Sequence, residues 1–448
     1  MKEPLIAFDQ QLALPLAQPL NEQPFGKPEP TDSNQPSLLM QRILERNNLI
    51  RALKQVQRNK GAPGVDKVSV KELPNYLKQH WERIREQLIN GSYKPQSVRR
   101  VEIPKPNGST RKLGIPTVVD RLIQQAIAQV LSPIWETHFH PNSFGFRPKR
   151  SAHQAVYQMR AFAQEGKHWV VDLDLKAFFD EVNHDRLMAK LKQQHPEIDV
   201  LRLINCYLKA PVVTQQGKEK TTKGVPQGGP LSPLLSNIVL NELDWELEAR
   251  GLSFVRYADD CQILVGSHRA GERIMASLTR FIESSLRLKV NQDKSAVDKV
   301  WNRSFLGFTL GRKGKRIKVS EKSLNNLKHK IRTLTRRTRG HSFNHILKEL
   351  RESLLGWKAY FDISEIVSPL RDVDKWIRRK LRCYLWKQWG RSGYRKLRAL
   401  GVDVKLAWNT CKSAHGPWRI SHSPDLYKAM PNGYFRDLGL PELTARTG

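Results

Sequence analysis

From Leu38 onward, apolar residues recur at the spacing of one helix face. Leu39, Ile43, Leu49, Leu53 and Val56 fit an amphipathic helix pair. Gly61-Ala62-Pro63-Gly64 breaks that pattern. Residues 98–116 switch to alternation around Pro106-Asn107-Gly108, which predicts a hairpin, and 119–135 return to helical spacing. Trp169 to Leu175 reads as a strand running into a helix. Phe254 to Val265 reads as two strands joined by a tight turn at Ala258 and Asp259. After about residue 315 strand signals fade. Leu324, Leu327, Ile331 and Leu334 keep helical spacing, as do Ile346, Leu347, Leu350, Leu354 and Trp357. The expected class is α+β with a mostly helical C-terminal third.

Composition adds a partner class. Lys and Arg total 76 against 43 Asp and Glu, a net charge of +33 over 448 residues. Such a surplus attracts polyanions, and long nucleic acid leads among them. Residues 1–36 depart from this trend, with seven prolines and a net acidic balance, and read as a flexible extension. Cys206, Cys261, Cys383 and Cys411 form no C-x-x-C pair, which argues against structural zinc and a disulfide framework. No apolar run approaches the roughly 20 residues of a membrane span. Glu3 and the early prolines do not suit a signal peptide. The expected setting is the cytoplasm, with no membrane partner.

Two adjacent acids inside an apolar hairpin are costly unless paired or metal-bound. Tyr257-Ala258-Asp259-Asp260 places such a pair between Phe254-Val255 and Ile263-Leu264-Val265. Nucleotide polymerisation needs two divalent cations about 3.5–4 Å apart, held by few carboxylates. Asp172 and Asp174 share one face of the earlier strand, and spacing alone does not separate them as ligands. Pro226-Gln227-Gly228-Gly229-Pro230 offers paired glycines for close backbone approach to a base pair, and Gln227 offers base-tolerant hydrogen bonding. Lys105 and Arg111 flank the predicted hairpin tip, where two cations can clamp a triphosphate.

These motifs, in this order, resemble reverse transcriptases. Tyr257 to Asp260 is similar to the family's Y-x-D-D box, and Asp174 to Asp180 to its preceding acidic motif. The resemblance implies a right-hand fold of fingers, palm and thumb. It implies Asp174, Asp259 and Asp260 as ligands of two Mg²⁺ ions, for which Mn²⁺ could substitute. Phe179 becomes the steric gate that selects dNTPs. Lys105, Arg111, Gln227 and Lys294 become nucleotide contacts. Tyr257, Ala258, Gly228 and Gly229 become template or primer contacts, and Phe305-Leu306-Gly307 the primer grip. Ser143 to Pro148 is similar to a finger motif with a template or structural role.

The C-terminal region narrows the family. Residues 312–339 carry twelve Lys or Arg against one acid, and 371–398 carry eleven against two. Gly356 to Phe361 and the Trp376–Trp389 run resemble the thumb, or X domain, of bacterial group II intron-encoded proteins. Arg378, Arg379, Lys380 and Arg382 are the expected RNA-binding cations. The resemblance implies an N-terminal extension and fingers within 37–165, the palm with finger elements within 166–310 and the thumb/X maturase domain within 311–448. No paired-cysteine H-N-H segment is evident, so a short form lacking that endonuclease is expected. The implied partners are intron RNA, an RNA template with a DNA primer or target DNA, and dNTPs. The implied roles are reverse transcription, intron splicing assistance and retromobility. The alternatives are a non-enzymatic RNA-binding maturase, or a domesticated reverse transcriptase in DNA repair or phage defence.

Overall fold

The structure is a computed structural model that describes residues 36–104 and 110–445. The Pro-rich extension, Lys105 and the hairpin tip at Pro106-Asn107-Gly108 therefore lie outside the described residues, apart from Pro36 itself. The chain divides into two compact units, Met1–Ala155 with Val171–Val297, and Val156–Val170 with Asp298–Gly448.

The first unit starts with helices α1 (Leu38–Leu44) and α2 (Arg46–Arg58). Ser37 caps α1 by accepting from the Met40 amide. Both pack on α3 (Val118–Glu136), a long helix whose apolar face is almost continuous. Buried Asn48 ties the three together, donating to the carbonyls of Ile43 and Ala126 at 3.0 Å each. Thr117 caps α3 and in turn donates to the Asp120 carboxylate at 2.7 Å.

The predicted hairpin is present as β1 (Val98–Pro104) and β2 (Thr110–Ile115), in register from Arg99↔Ile115 to Pro104↔Thr110. Two short strands that periodicity did not reveal, β4 (Val212–Thr214) and β5 (Gly217–Glu219), extend this sheet to the order β2-β1-β4-β5. They are three residues each, and β5 is exposed and polar, too little for a period-2 signal.

A second sheet has the order β6-β7-β3-β8. Its members are β3 (Trp169–Leu173), β6 (Ser253–Tyr257), β7 (Asp260–Val265) and β8 (Ala296–Lys299). β6 and β7 are antiparallel and buried, with helix α5 (Ser232–Ala249) against β6 and α6 (His268–Ser284) against β7. A four-residue helix, α4 (Phe178–Glu181), follows β3. The carboxylates singled out above thus sit at the end of β3 and at the β6–β7 turn.

After residue 298 the second unit carries an antiparallel pair, β9 (Phe308–Leu310) and β10 (Ile317–Val319). It continues as helices, including α7 (Glu321–Leu334), α8 (Phe343–Phe361) and α9 (Ser368–Trp389). Serine caps start α7 and α8 at Ser320 and Ser342. Leu327, Ile331, Ile346, Leu350, Ile377 and Leu381 belong to one apolar core. The helical stripes read from the sequence bury the faces they predict. β10 lies just past the point where strand signals fade.

Candidate polymerase active site

Asp259 and Ala258 form the two-residue connection between β6 and β7, and Tyr257 pairs with Asp260 beside it. Ala258 has φ +58°, a left-handed conformation that residues with a Cβ rarely adopt. The surroundings hold it there. Arg256 is fully buried and donates from Nη1 to the Ala258 carbonyl at 2.8 Å and to Asn237 Oδ1 at 3.0 Å. Its Nε and Nη2 donate to the two carboxylate oxygens of buried Asp244 at 2.6 Å each. A buried charge needs such a partner, and a planar guanidinium meets a carboxylate at two points.

Gly145 presses on the same turn. A Cβ at position 145 would overlap the Ala258 backbone nitrogen. Asn237 donates to the Gly145 carbonyl at 2.8 Å, and the Phe144 amide donates to the Arg256 carbonyl at 2.8 Å. Sequence reasoning missed Arg256, Asp244 and Asn237. The available signal was a lone cation between Val255 and Tyr257 in an apolar strand, which must find a partner.

Asp174 follows β3 directly. Its carboxylate accepts from Asn291 Nδ2 at 2.8 Å and faces Lys294 Nζ at 3.5 Å. Its backbone is pinned on the same segment, since the Asn291 amide donates to the Asp174 carbonyl at 2.8 Å. Asp172 accepts from Gln262 Nε2 on β7 at 3.2 Å. Asp260 registers the crowding. Its carboxyl is pushed up to about 6, first by loss of water around it and then by the charges of Asp259, Asp172 and Asp174, with Lys294 opposing. Oxygen-only donors that repel one another fit a hard divalent cation. Among the described residues no three His, Cys, Asp or Glu side chains already form a closed metal-binding group. Mg²⁺ sites of this kind take their remaining oxygens from substrate phosphates and water.

Next to the carboxylate motifs in sequence, a cleft of about 470 Å³ is lined by Arg111, Phe179, Gln227, Gly228, Gly229 and Phe146, among others. Phe178 and Phe179 divide the two roles open to them. Phe178 is buried in the core, whereas Phe179 faces the cleft, with its carbonyl accepting from the Val225 amide at 2.6 Å. Arg111 Nε donates to Gln227 Oε1 at 3.0 Å, joining the hairpin to the glycine loop. Gly228 has φ +129°, and a Cβ there would strike the Gly114 carbonyl. Of the expected triphosphate clamp, Arg111 is described and Lys105 is not. Lys294 sits at Asp174 and is not among the residues lining the cleft.

In the second unit, Leu306 and Gly307 form a tight turn with φ +52° and +82°. The Phe305 and Phe308 backbones pair across it at 2.8 and 2.9 Å. The Leu306 carbonyl accepts from the Tyr360 hydroxyl at 2.9 Å, and Phe305 is buried.

The four cations grouped on α9 by the sequence do not share a face. Arg382 is fully buried, donating to the Met430 carbonyl at 3.0 Å and lying over the Tyr427 ring. Arg378 is also buried, 3.7 Å from Glu442. Only Arg379 and Lys380 are partly exposed. Arg379 lies 4.0 Å over the Trp418 ring, and Lys380 lies 5.5 Å from Trp376. Burial and the nearby charges of Arg332 and Arg337 push the Lys380 ammonium down.

An acidic β-turn and a second acidic strand end in one sheet, with a glycine-loop cleft in the same unit, suit a nucleotidyl-transfer site that holds divalent cations. A family description, reverse transcriptase (RNA-dependent DNA polymerase), matches residues 103–310, and a second, the group II intron maturase-specific domain, matches residues 324–401. The chain is 35% identical over 326 residues to Protein YkfC of Escherichia coli (strain K12), covering 63% of this chain and 86% of that protein. It is 43% identical over 164 residues to the group II intron-encoded protein LtrA of Lactococcus lactis subsp. cremoris, covering 36% of this chain and 27% of LtrA. A Saccharomyces cerevisiae putative COX1/OXI3 intron 1 protein is 29% identical over 212 residues, covering 45% of this chain and 25% of that protein. The chain belongs to the group II intron-encoded reverse transcriptase/maturase family, an RNA-directed DNA polymerase family with an α+β fold. No helix among the described residues is long and apolar enough to cross a membrane.

Proposed function

We propose that this chain copies RNA into DNA from dNTPs with two Mg²⁺ ions, and binds group II intron RNA to assist splicing and retromobility. The observation that carries the polymerase reading is the placement of Asp259 and Asp260 at the β6–β7 turn and of Asp174 at the end of β3, the strand next to β7 in the same sheet. Asp174, Asp259 and Asp260 would hold the cations, which supply Lewis acidity toward the phosphate oxygens when bound. Arg111, with Lys105, takes the triphosphate. Phe179 fills the space a ribose 2′ hydroxyl needs. Gln227, Gly228 and Gly229 lie along the nascent pair. Lys294 keeps the Asp174 carboxylate oriented and partly neutralised. Tyr257 and Ala258 contact the primer end, and the Phe305-Leu306-Gly307 turn is a further primer contact.

On this reading 37–165 supply the N-terminal extension and fingers, 166–310 the palm and 311–448 the thumb/X maturase domain. Intron RNA binding is assigned to the partly exposed cations Arg379 and Lys380 with Trp376 and Trp418, supported by the match of residues 324–401 to a maturase-specific domain. Arg378 and Arg382 are buried and do not reach an RNA surface. The test is primer extension on an RNA template with Mg²⁺ and dNTPs, alongside splicing of the intron RNA flanking the gene. Splicing assistance without dNTP incorporation would leave a non-enzymatic maturase. Incorporation without splicing assistance would favour a domesticated enzyme.

A further inference from the structure

Phe146 pairs a left-handed backbone with an open side chain. Its φ is +60°, a strained value for a bulky side chain, yet 51% of the residue is exposed. The protein around it covers only about half of the residue. It lines the same cleft as Arg111, Phe179 and Gln227.

The backbone on both sides of the ring is locked. Gly145 packs against the Ala258 turn. Arg147 is buried and donates from Nη1 to the carbonyls of His140 and Ser143 at 2.6 and 2.7 Å. Its Nε and Nη2 donate to Glu136 at 3.1 and 2.7 Å. One rigid segment thus braces the acidic turn at residue 145 and presents a phenyl ring into the cleft at residue 146. Among the described, exposed residues other than glycine with positive φ, Phe146 is the one that lines this cleft.

We propose that Phe146 stacks on a nucleobase of the nascent base pair and so determines nucleotide affinity. This rests on the polymerase reading above. A phenyl face accepts any base, as template-directed synthesis requires, because every base offers a π-face. The ring acts in binding; the chemistry stays with the carboxylates.

The test is single-nucleotide incorporation on an RNA template with a DNA primer, using wild type, F146N, F146G and F146W. Asn and Gly both tolerate positive φ, so neither should lower the melting temperature. The expected result is a rise in KM for dNTP on the order of tenfold in F146N and F146G, with kcat little changed and recovery in F146W. A template with an abasic site distinguishes the stacked base. Convergence of wild type and F146N there assigns the ring to the templating base; a persisting difference assigns it to the incoming one. Wild-type KM in F146N and F146G, with active wild type, overturns this inference and leaves the polymerase reading intact. A melting temperature lowered by several degrees, without recovery in F146W, also overturns it by making the ring a structural prop. A wild type that incorporates nothing overturns the polymerase reading itself.

Discussion

Arg256 and Asp244 form a bidentate ion pair, 2.6 Å at both contacts, with neither side chain exposed to solvent. The same guanidinium binds the Ala258 carbonyl. The left-handed turn that carries Asp259 is thereby tied to helix α5, twelve residues earlier in the chain. D244N removes one charge and strands the other. It should cost about 3–5 kcal/mol in urea unfolding. R256K should not rescue function, because an ammonium cannot bind the carboxylate and both carbonyl-type acceptors in one plane. Wild-type stability in D244N would mean the pair does not hold the turn.

Gly145 tests the same turn from its other side. Its Cα faces the Ala258 nitrogen with no room for a methyl group. G145A should shift the acidic turn and lower kcat for incorporation by about a hundredfold, the usual effect of displacing reacting groups by roughly 1 Å. G266A, at a position with open space around it, is the matched control. Equal kcat in G145A and G266A would show that the turn tolerates displacement.

Phe179 faces the cleft while its neighbour Phe178 fills the core. F179V should therefore admit rNTPs with little loss of fold stability. Apolar contact discriminates against an added hydroxyl by about a hundredfold, which bounds the selectivity to be lost. F178V should instead lower stability and leave sugar selectivity unchanged. The ratio of dNTP to rNTP incorporation efficiency checks both.

On α9 the two pairs of cations should separate cleanly. R379Q with K380Q should reduce the salt slope of RNA binding by about 0.7 per cation and leave the melting temperature alone. R382Q should lower the melting temperature, since its guanidinium is fully buried between the Met430 carbonyl and the Tyr427 ring. An unchanged slope in the double variant would place the RNA contact elsewhere.

The carboxylate motifs were legible because acids between apolar strands have few explanations. The β1–β2 hairpin, α3 and the α7–α8 stripes were legible because their periods run long enough to count. The Arg256–Asp244 pair was not, since nothing in a linear pattern says which acid a buried cation meets. Charge counting also misjudged α9. Asp374, Arg378 and Arg382 recur every four residues, on the face that also carries Leu381 and Leu385. That face is covered by residues near the end of the chain, where the Leu443 amide donates to Asp374 at 3.1 Å. The spacing was present in the sequence; its burial followed only from the fold. β4 and β5 were too short to announce themselves.

The central claim is that Asp174, Asp259 and Asp260 work as one cation-dependent polymerase centre. Primer extension by D259N on an RNA template with Mg²⁺ tests it most directly, with template–primer binding measured on the same preparation. The account predicts that dNTP incorporation is abolished, as it is for wild type in excess EDTA, while nucleic-acid affinity stays near wild type. Incorporation by D259N at a rate comparable to wild type would contradict it.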